Sequence, residues 1–246
     1  MMYVASCSFG KDSLAMVLLL LSLGYPLDEV IFFDTGMEFD AIYAIRDKLL
    51  PILKENNIKY TELTPELPFL YEMLEKPVKG IKNPDHFGYG WCGGACRWGT
   101  SNKNRAITKY LSNLNEEYVE YVGIAYDEPN RIKDKVYPLF DHKMTEADCL
   151  KFCRERGWTW TEGNIDLYDV LDRVSCWCCS NKNRKELFNM FVGLPHYWSK
   201  LKEIQAQIDK PMKKFKSKKY GEYGNVLEME KVFIEERSEW LDKLLQ

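Results

Sequence analysis

The sequence contains no long apolar segment. Its longest apolar run, residues 14–23, is much shorter than the roughly 20 residues that a helix needs to cross a bilayer, and no small-residue cleavage site of a signal peptide follows it. We therefore expect a buried helix, no membrane association and no export signal. A protein that stays in the reducing cytoplasm is not expected to use its eight cysteines in structural disulfides.

Histidine is scarce, and neither sign of charge dominates. The three histidines, His86, His142 and His196, are far apart and lack the spacing of a metal site or a catalytic pair. A net charge of -3 gives no general attraction to polyanions. With 46% hydrophobic and 29% charged residues, the composition is that of a globular protein. The length of 246 residues suits one large α/β domain, or such a domain with a helical appendage.

The Walker motif, G-x-x-x-x-G-K-[ST], is absent, but another candidate phosphate-binding junction lies near the start of the chain. Met2–Ser6 has the apolar pattern of a strand, and residues 8–13, S-F-G-K-D-S, lead from it into a helix. A helix that starts after a tight turn presents unpaired backbone N–H groups to an anion, and Lys11 adds a full positive charge. The alternative is an ordinary turn in which Asp12 or Ser13 caps the helix.

Strand and helix patterns alternate in the first part of the chain. Glu29–Phe33 and Lys59–Leu63 have strand patterns, and residues 42–50 between them have helical periodicity. This order predicts a parallel sheet. Residues 118–124 and 136–139 supply two further strand candidates.

The patterns after residue 140 are mainly helical. Thr145 opens a helix with a capping box. Further helices are predicted at residues 167–174, 184–191, 196–208 and 229–245, and the weakest folding signal is at residues 210–224. We predict an α/β domain at residues 1–140 and a helical C-terminal region, with a cysteine cluster, at residues 141–246.

Two polar turns follow strands of the predicted sheet. Asp34 and Gly36 come directly after the second strand, as residues 8–13 come after the first. Ligands of such sheets bind beyond the carboxyl ends of the strands. Asp34 alone is equally typical of an ordinary turn, but the two turns together predict a nucleotide site.

Cysteines and cations lie together in two further segments. Residues 90–100, G-W-C-G-G-A-C-R-W-G-T, carry two thiols beside Arg97, and Lys103 follows. Guanidinium and ammonium groups suit phosphate or sulfate oxygens. Residues 173–179, R-V-S-C-W-C-C, carry three more thiols.

Two groups of thiols that are far apart in sequence are a common arrangement for a four-thiolate metal site. The candidate ligands are Cys92, Cys96, Cys176 and Cys179, with Cys178 as a substitute. Their spacings are not those of standard zinc motifs, and a free cysteine also serves as a small core residue. Cys149 and Cys153, four residues apart on one helix face, are assigned to the core.

Four elements, in this order, resemble motifs of the PP-loop ATP pyrophosphatases, also called adenine nucleotide α-hydrolases, and of their phosphoadenosine phosphosulfate (PAPS) reductase-like family. Residues 8–13 resemble the SGGxDS signature, with Phe9 at its first glycine. Residues 97–103 resemble the R-W-C-T-x-x-L-K element, with Gly99 where that pattern has cysteine. Residues 123–131, G-I-A-Y-D-E-P-N-R, resemble the second nucleotide loop, and residues 176–185 resemble the C-C-x-x-R-K type of element of sulfonucleotide reductases.

The resemblance implies a Rossmann-like PP-loop sheet with a helical C-terminal part and an adenine nucleotide as ligand, either ATP with Mg²⁺ or PAPS or adenosine phosphosulfate (APS). It also implies that paired cysteines help to hold a [4Fe–4S] cluster, which it favours over Zn²⁺. Together, the strand-end turns and the resemblance give as candidate nucleotide-binding residues Ser8, Gly10, Lys11, Asp12, Ser13, Asp34, Gly36, Arg97, Lys103, Gly123 and Arg131. Lys11 and Asp12 are the candidate catalytic residues.

Three functions remain open. An ATP pyrophosphatase would form AMP and pyrophosphate and adenylate an acceptor for sulfur transfer, with a sulfur donor protein as a partner. A sulfonucleotide reductase would release sulfite by means of a cysteine nucleophile, and a regulatory module would bind the nucleotide without turnover. The intact Lys11, Asp12 and Ser13 favour the first. No cysteine follows Cys179, whereas reductases typically carry their nucleophile on a C-terminal tail.

Residues 210–219 include six lysines, and aromatic residues are interleaved with them and follow them. This combination is typical of surfaces that contact a nucleic-acid strand, which makes a nucleic acid one candidate for the acceptor. A solvated lysine loop is the simpler interpretation.

Overall fold

The computed structural model describes residues 1–80 and 84–244. Its strands, in chain order, are β1 Met2–Ser6, β2 Glu29–Phe33, β3 Lys59–Leu63, β4 Pro77–Val78, β5 His86–Phe87, β6 Tyr118–Val122, β7 Thr161–Glu162, β8 Ile165–Asp166, β9 Phe215–Ser217 and β10 Gly221–Tyr223. Its α-helices are α1 Lys11–Leu23, α2 Asp40–Glu55, α3 Lys103–Ser112, α4 Pro138–Asp141, α5 Glu146–Arg154, α6 Leu167–Val170, α7 Arg184–Gly193, α8 Pro195–Gln205 and α9 Val226–Leu244. Short π-helical segments span Tyr71–Glu75 and Arg97–Asn102, and a 3₁₀ turn spans Pro129–Arg131.

The residues group into two compact units. Unit 1 consists of Met1–Glu66 and Trp98–Leu167, and unit 2 of Leu67–Arg97 and Tyr168–Gln246. The grouping does not follow one cut in the sequence, because a middle segment joins the C-terminal part. The assignment of residues 1–140 and 141–246 as domains stays a prediction.

Unit 1 contains the predicted parallel sheet. Four strands lie in the order β3-β2-β1-β6, and every neighbouring pair is parallel. In the register, Ala5 of β1 pairs with Val30 on one side and with Tyr121 on the other. All five residues of β2 are buried, as expected for an inner strand of a sheet with helices on its faces. The Rossmann-like α/β fold with a helical C-terminal region is therefore confirmed.

Helices cover this sheet through apolar contacts. On α3, Ile107 and Leu111 pack against Val4 of β1 and Ile31 of β2 in one buried cluster. Helix α1 is buried along most of its length and packs against α5. The turn at residues 8–13, which we call the phosphate turn after its predicted ligand, thereby lies between an inner strand and a buried helix.

One predicted strand is wrong, and another is shorter than predicted. Val136 forms only an isolated bridge with Tyr121, and Pro138 then begins α4. A proline has no N–H group to donate to a sheet, while its fixed φ suits the first turn of a helix. Strand β6 ends at Val122, before Gly123.

Unit 2 is mainly helical, as predicted. Phe191, Trp198 and Phe233, from α7, α8 and α9, lie with their ring centroids 5.6–5.8 Å apart. The weakly patterned residues 210–224 contain an antiparallel hairpin of β9 and β10, in which the rings of Phe215 and Tyr223 lie 5.8 Å apart. In the described part of the chain, no helix has both the length and the apolar character needed to cross a bilayer.

Candidate functional site

The turn between β1 and α1 is closed by the Ser13 hydroxyl. Gly10 is the N-cap residue, so the interpretation that Asp12 or Ser13 caps this helix is wrong. Ser13 Oγ accepts from the Ser8 N–H at 3.1 Å and donates to the Gly10 carbonyl at 3.2 Å. No side chain of the described residues caps the start of α1. Its first N–H groups are therefore suited to bind an anion.

Phe9 adopts a backbone conformation that favours glycine. Its φ is +57°, in the left-handed region that a bulky side chain occupies only at a cost in free energy. Its side chain is fully buried, and its ring meets the Phe32 ring edge-on at 5.0 Å. Its carbonyl accepts a hydrogen bond from the Trp160 indole N–H at 2.7 Å. The phenylalanine thus keeps the turn that the SGGxDS signature builds with glycine.

Lys11 is buried and bound by two carboxylates. Its ammonium lies 2.9 and 3.0 Å from the oxygens of Asp12 and 2.5 Å from Oε2 of Glu146. Burial alone would lower the pKa of Lys11, but the attraction of Asp12 and the hydrogen bond to Glu146 outweigh it, and the pKa is raised. Lys11 therefore carries its positive charge at neutral pH, at the start of a helix whose dipole is also positive there.

Asp12 has neighbours that oppose its ionisation. Burial raises the pKa of this carboxyl, the Lys11 charge acts in the opposite direction, and the charges of Glu146 and Glu128 raise the pKa further. The net pKa is above its ordinary value. Two carboxylates, Asp12 and Glu146, therefore contact one ammonium, and the charge of Glu128 also acts on Asp12, so this part of unit 1 is rich in negative charge.

Glu146 is held in place by its helix and by a neighbouring loop. It is the first residue of α5, directly after Thr145, which forms a reciprocal capping box with Asp148. Its N–H donates to Asp127 Oδ1 at 3.0 Å, and the nearby Tyr126 N–H donates to the Met144 carbonyl at 2.7 Å. These bonds join α5 to the loop that the sequence assigns as the second nucleotide loop.

Gly123 lies directly against the start of α1. A Cβ atom at this position would be 2.8 Å from Cα of Ser13 and 3.0 Å from the carbonyl oxygen of Asp12. Since both are backbone atoms that cannot move independently, only glycine fits here. Arg131, farther along the same loop, is exposed and pairs with Glu128 at 2.6 Å. The structure thus brings Gly123 to the phosphate turn, and it holds Arg131 in an ion pair.

The turn after β2 is organised around Asp34. Its Oδ1 accepts from the Gly36 N–H at 2.7 Å and from the Tyr43 hydroxyl at 2.8 Å. Burial, together with the adjacent Asp34, raises the pKa of Tyr43, so this phenol remains a donor at neutral pH. Gly36 has a φ of +74°, which glycine adopts freely.

The two predicted anion ligands of the middle segment belong to different units. Lys103 begins α3 in unit 1. Its charge acts on Cys7, whose pKa is raised to about 11 mainly by burial. Since Cys7 directly precedes the phosphate turn, Lys103 is near that turn. Arg97 belongs to unit 2 and lies over the Tyr89 ring, 3.7 Å from its centroid.

All five predicted metal-site thiols lie in unit 2, in two adjoining segments. Ser180, next to Cys179, donates its hydroxyl to the carbonyl of Cys92. Asn181 exchanges two hydrogen bonds with the backbone of Gly94, each 2.8 Å long. None of these five thiols is in a disulfide. Among the described residues, no three of them have sulfur atoms within 4.8 Å of one another.

A buried lysine accompanies these thiols. Lys182 is 2% exposed, and its ammonium lies 3.4 Å from the Ser175 hydroxyl. Burial lowers its pKa, while the nearby thiol groups and Glu186 act in the opposite direction. Burial also raises the pKa of Cys92, and the Cys96 charge adds to this effect, whereas Arg97 opposes it. Cationic groups favour thiolates, but the pKa of Cys92 stays above its ordinary value, so Arg97 offsets only part of the effect of burial.

The remaining cysteines are core residues of unit 1. Cys149 and Cys153 are fully buried, as predicted, and Cys7 is 2% exposed. Burial raises the pKa of Cys153 to about 12. These thiols are therefore protonated and unreactive at neutral pH.

Sequence patterns did not identify three residues that contact these sites. Glu146 has a usable signal, because it directly follows the N-cap of a capping box. Lys182 closely follows Cys178 and Cys179, but nothing in the sequence distinguishes it from a surface lysine. Trp160 has no local signal, since only the fold brings it to Phe9.

Comparisons with known proteins agree with this geometry. The family model of the phosphoadenosine phosphosulfate reductase domain matches residues 2–161. Two uncharacterized proteins of Methanocaldococcus jannaschii, MJ0973 and MJ0066, are each 25% identical to the chain, over 82% and 80% of its length. The matches cover 47% and 40% of these relatives, so the chain spans less than half of either. Because the family model covers well over half of the chain, including the phosphate turn and Gly123, the chain belongs to the PAPS reductase-like family of PP-loop proteins.

Proposed function

We propose that the protein binds ATP and cleaves it to AMP and pyrophosphate, transferring the adenylyl group to an acceptor in sulfur transfer. One observation carries this proposal. The buried Lys11 ammonium lies at the uncapped start of α1, beyond the carboxyl end of an inner parallel strand. This combination of a fixed cation, a helix dipole and a helix start that no side chain caps suits a polyphosphate.

The proposed reaction is a substitution at the α-phosphorus. A lone pair of the acceptor forms the new bond to phosphorus, and the bond to the bridging oxygen breaks, so that pyrophosphate leaves with that electron pair. Lys11 and the N–H groups of the α1 start neutralise the charge that develops on the leaving group. Asp12 is the carboxylate that we assign to the Mg²⁺ that accompanies the triphosphate.

The second strand-end turn supplies the proposed nucleoside contacts. Gly36 and Tyr43 both donate to one oxygen of Asp34 and thereby fix the orientation of the carboxylate. A fixed carboxylate beyond a β-strand is suited to accept hydrogen bonds from ribose hydroxyls. We assign Ser8, Ser13 and Gly123 to the shape of the phosphate turn, and Lys103 and Arg131 to further contacts with the nucleotide. Arg97, in unit 2, stays a predicted anion ligand.

Four of the five thiols of unit 2 are proposed to hold a [4Fe–4S] cluster, namely Cys92, Cys96, Cys176 and Cys179, with Cys178 as a substitute ligand. The donor set fits such a group, because its two segments adjoin and basic side chains accompany the thiols. Four thiolates around zinc would lie about 3.8 Å apart, given bonds near 2.3 Å, which is closer than any three of these described thiols come to one another. A bound cluster would supply a covalent link between the two segments. Thiolate ligands require reducing conditions, so a cytoplasmic location forms part of the proposal.

A sulfonucleotide reductase is the second candidate function. Cys92, Cys96, Cys176 and Cys179 are partly exposed in unit 2. If one of them attacked the sulfur of PAPS or APS, the bond from that sulfur to the phosphate oxygen would break, the nucleotide would leave, and a thiosulfonate would form on the cysteine. A second thiol would then attack the sulfur of this cysteine, which forms a disulfide and releases sulfite. This reaction would remove the attacking cysteine from the set of ligands.

The lysine hairpin is the proposed contact for a nucleic-acid acceptor. Lys214 and Lys216 are exposed, but Glu222 lies 3.2 and 3.7 Å from their ammonium groups and offsets part of their charge. If the hairpin binds RNA, log K must fall with log salt, with a slope of about -2 for three phosphate contacts on a single strand. Binding that does not depend on salt, or a salt slope that is unchanged after Lys214→Ala and Lys216→Ala, would indicate that the hairpin is only a solvated surface element.

Product analysis tests the reaction. The protein is purified without oxygen and incubated with Mg²⁺ and either ATP or PAPS, with and without candidate acceptors and a thiol reductant. The proposal predicts AMP and pyrophosphate in equal amounts from ATP and no more than background sulfite from PAPS. Sulfite as the main product would establish the second candidate, and nucleotide binding with no product under any condition would indicate a regulatory module.

A further inference from the structure

Trp160 contacts the phosphate turn from outside the sequence motif. The indole is fully buried, and its N–H donates to the Phe9 carbonyl at 2.7 Å. The two residues are 151 positions apart in the chain, and both belong to unit 1. This bond is therefore a product of the tertiary fold and not of the local turn.

The hydrogen bond is accepted by the Phe9–Gly10 peptide, and the orientation of this peptide decides where the Gly10 N–H points. A trans peptide is planar, so the C=O of Phe9 and the N–H of Gly10 point in opposite directions. With the carbonyl directed at the buried indole, the Gly10 N–H is directed away from it. Gly10 is the N-cap residue of α1, and its N–H belongs to the same turn as the N–H groups of the helix start, which no side chain caps.

The same peptide follows the strained residue of the turn. Phe9 has a φ of +57°, and a bulky residue leaves this region unless its surroundings hold it there. The contacts that do so include the packing of its buried ring against Phe32 and the Trp160 hydrogen bond to its carbonyl. A glycine at position 9 would need neither contact to adopt this conformation.

We propose that Trp160 is a positioning residue for the nucleotide, which holds the Phe9–Gly10 peptide so that the turn keeps its anion-binding shape. The inference rests on the proposed function, because it assumes that this turn binds the phosphates. A glycine at position 9 would adopt this backbone conformation without support, whereas the phenylalanine needs the support that we assign to Trp160. Trp160 acts through the turn and does not touch the nucleotide itself.

The chain offers a matched control for the test. Trp158 is also buried, at 4% exposure, and its ring lies 4.4 Å from the Lys48 ammonium. Trp158→Phe and Trp160→Phe therefore make the same chemical change two residues apart. Only the second removes a donor to the phosphate turn.

The experiment is calorimetric titration of Mg–ATP into the wild type, Trp158→Phe, Trp160→Phe, Phe9→Gly and the double variant Phe9→Gly/Trp160→Phe. Thermal unfolding of each is measured in parallel. Loss of one hydrogen bond predicts that Trp160→Phe weakens binding about three- to tenfold, while Trp158→Phe leaves it unchanged. In the Phe9→Gly background the effect of Trp160→Phe on affinity is expected to fall below about twofold, since glycine adopts the left-handed region without support.

The background dependence separates positioning from a structural role. A tryptophan that only stabilised the core would lower the unfolding temperature equally in both backgrounds and would leave the affinity unchanged, which would overturn the inference. If Trp160→Phe does not fold, β-(3-benzothienyl)alanine at position 160 keeps the ring shape without the N–H, and the same loss of affinity is expected. Binding by the wild type with unchanged binding by these variants refutes the inference alone, whereas no binding by the wild type refutes the proposed function and the inference with it.

Discussion

Lys11 Nζ lies 2.5 Å from Oε2 of Glu146, although 135 positions separate the two residues in the sequence. The contact joins the phosphate turn to the first residue of α5, whose N-terminus is fixed by a capping box. Asp12 contacts the same ammonium. Two carboxylates therefore face the one cation that is proposed to bind the leaving group, and their negative charge exceeds the positive charge of Lys11.

Glu146→Gln is expected to tighten the binding of metal-free ATP. The substitution removes one negative charge near the polyphosphate, and a pair of charges a few ångströms apart near a protein surface is worth on the order of 1 kcal/mol after screening, or about fivefold in affinity. Mg–ATP carries less net charge, so its affinity should change less. Calorimetry with and without Mg²⁺ measures both values.

Glu155→Gln serves as the control for this substitution, because Glu155 follows the last residue of the same helix and pairs only loosely with Lys151, at 3.8 Å. Equal effects of the two variants would show that only the overall charge matters. Weaker binding of metal-free ATP to Glu146→Gln would show instead that Glu146 holds Lys11 in its binding position.

Gly123→Ala is expected to disturb the phosphate turn. The added Cβ would lie 2.8 Å from Cα of Ser13, so β6 and α1 must separate, at a cost of about 1–3 kcal/mol in the free energy of unfolding. Denaturant unfolding measures this loss, and the affinity for ATP should fall with it. Gly93→Ala is the control, since its Cβ would meet no atom closer than 4.0 Å. A wild-type stability for Gly123→Ala would contradict the close approach of the two elements.

The two classes of cysteine should differ in reactivity. Cys7 and Cys153 are buried, and burial raises their pKa to about 11 and about 12, so their reactive thiolates are rare until the pH approaches these values. Iodoacetamide at pH 8, followed by mass spectrometry, should label the metal-free protein at the four proposed ligands well before these two positions. The four are Cys92, Cys96, Cys176 and Cys179.

Anaerobic loading with iron and sulfide should then protect all four proposed ligands together, because a ligated thiolate is not free to react. Protection of only three, with Cys178 becoming protected as well, would replace one ligand by its substitute. Labelling of Cys153 as fast as Cys92 in the folded protein would contradict the assignment of Cys153 to the core.

The sheet could be predicted from the sequence because its signals are local. Met2–Ser6 and Glu29–Phe33 have apolar patterns of strand length, Lys59–Leu63 has the alternation of a strand, and the structure has these same bounds. Residues 136–139 also have a strand pattern, but Pro138 begins a helix there. The hairpin of β9 and β10 was not predicted, because its lysines give no alternation and its stability depends on buried contacts such as Phe215 with Tyr223.

The candidate site could be predicted only as far as its motifs extend. The turn at residues 8–13 and Gly123 have recognisable patterns, and the structure brings them together in unit 1. Glu146, at the start of α5, and Trp160, directly before β7, contact the same turn, and each follows it by more than 100 residues in the sequence. Such contacts depend on how α1 and α5 pack, which no local pattern contains.

Calorimetric titration of Mg–ATP into the wild type and Lys11→Ala tests most directly whether the phosphate turn binds the nucleotide. Loss of a charge-assisted hydrogen bond to the phosphates predicts that the variant binds about 1–3 kcal/mol more weakly, and a site that depends on this charge should also lose about 10²-fold or more in turnover once the acceptor is known. Thermal unfolding of both proteins verifies that the variant is folded. Binding of ATP to a folded Lys11→Ala with the affinity of the wild type would contradict the central claim that this turn holds the nucleotide.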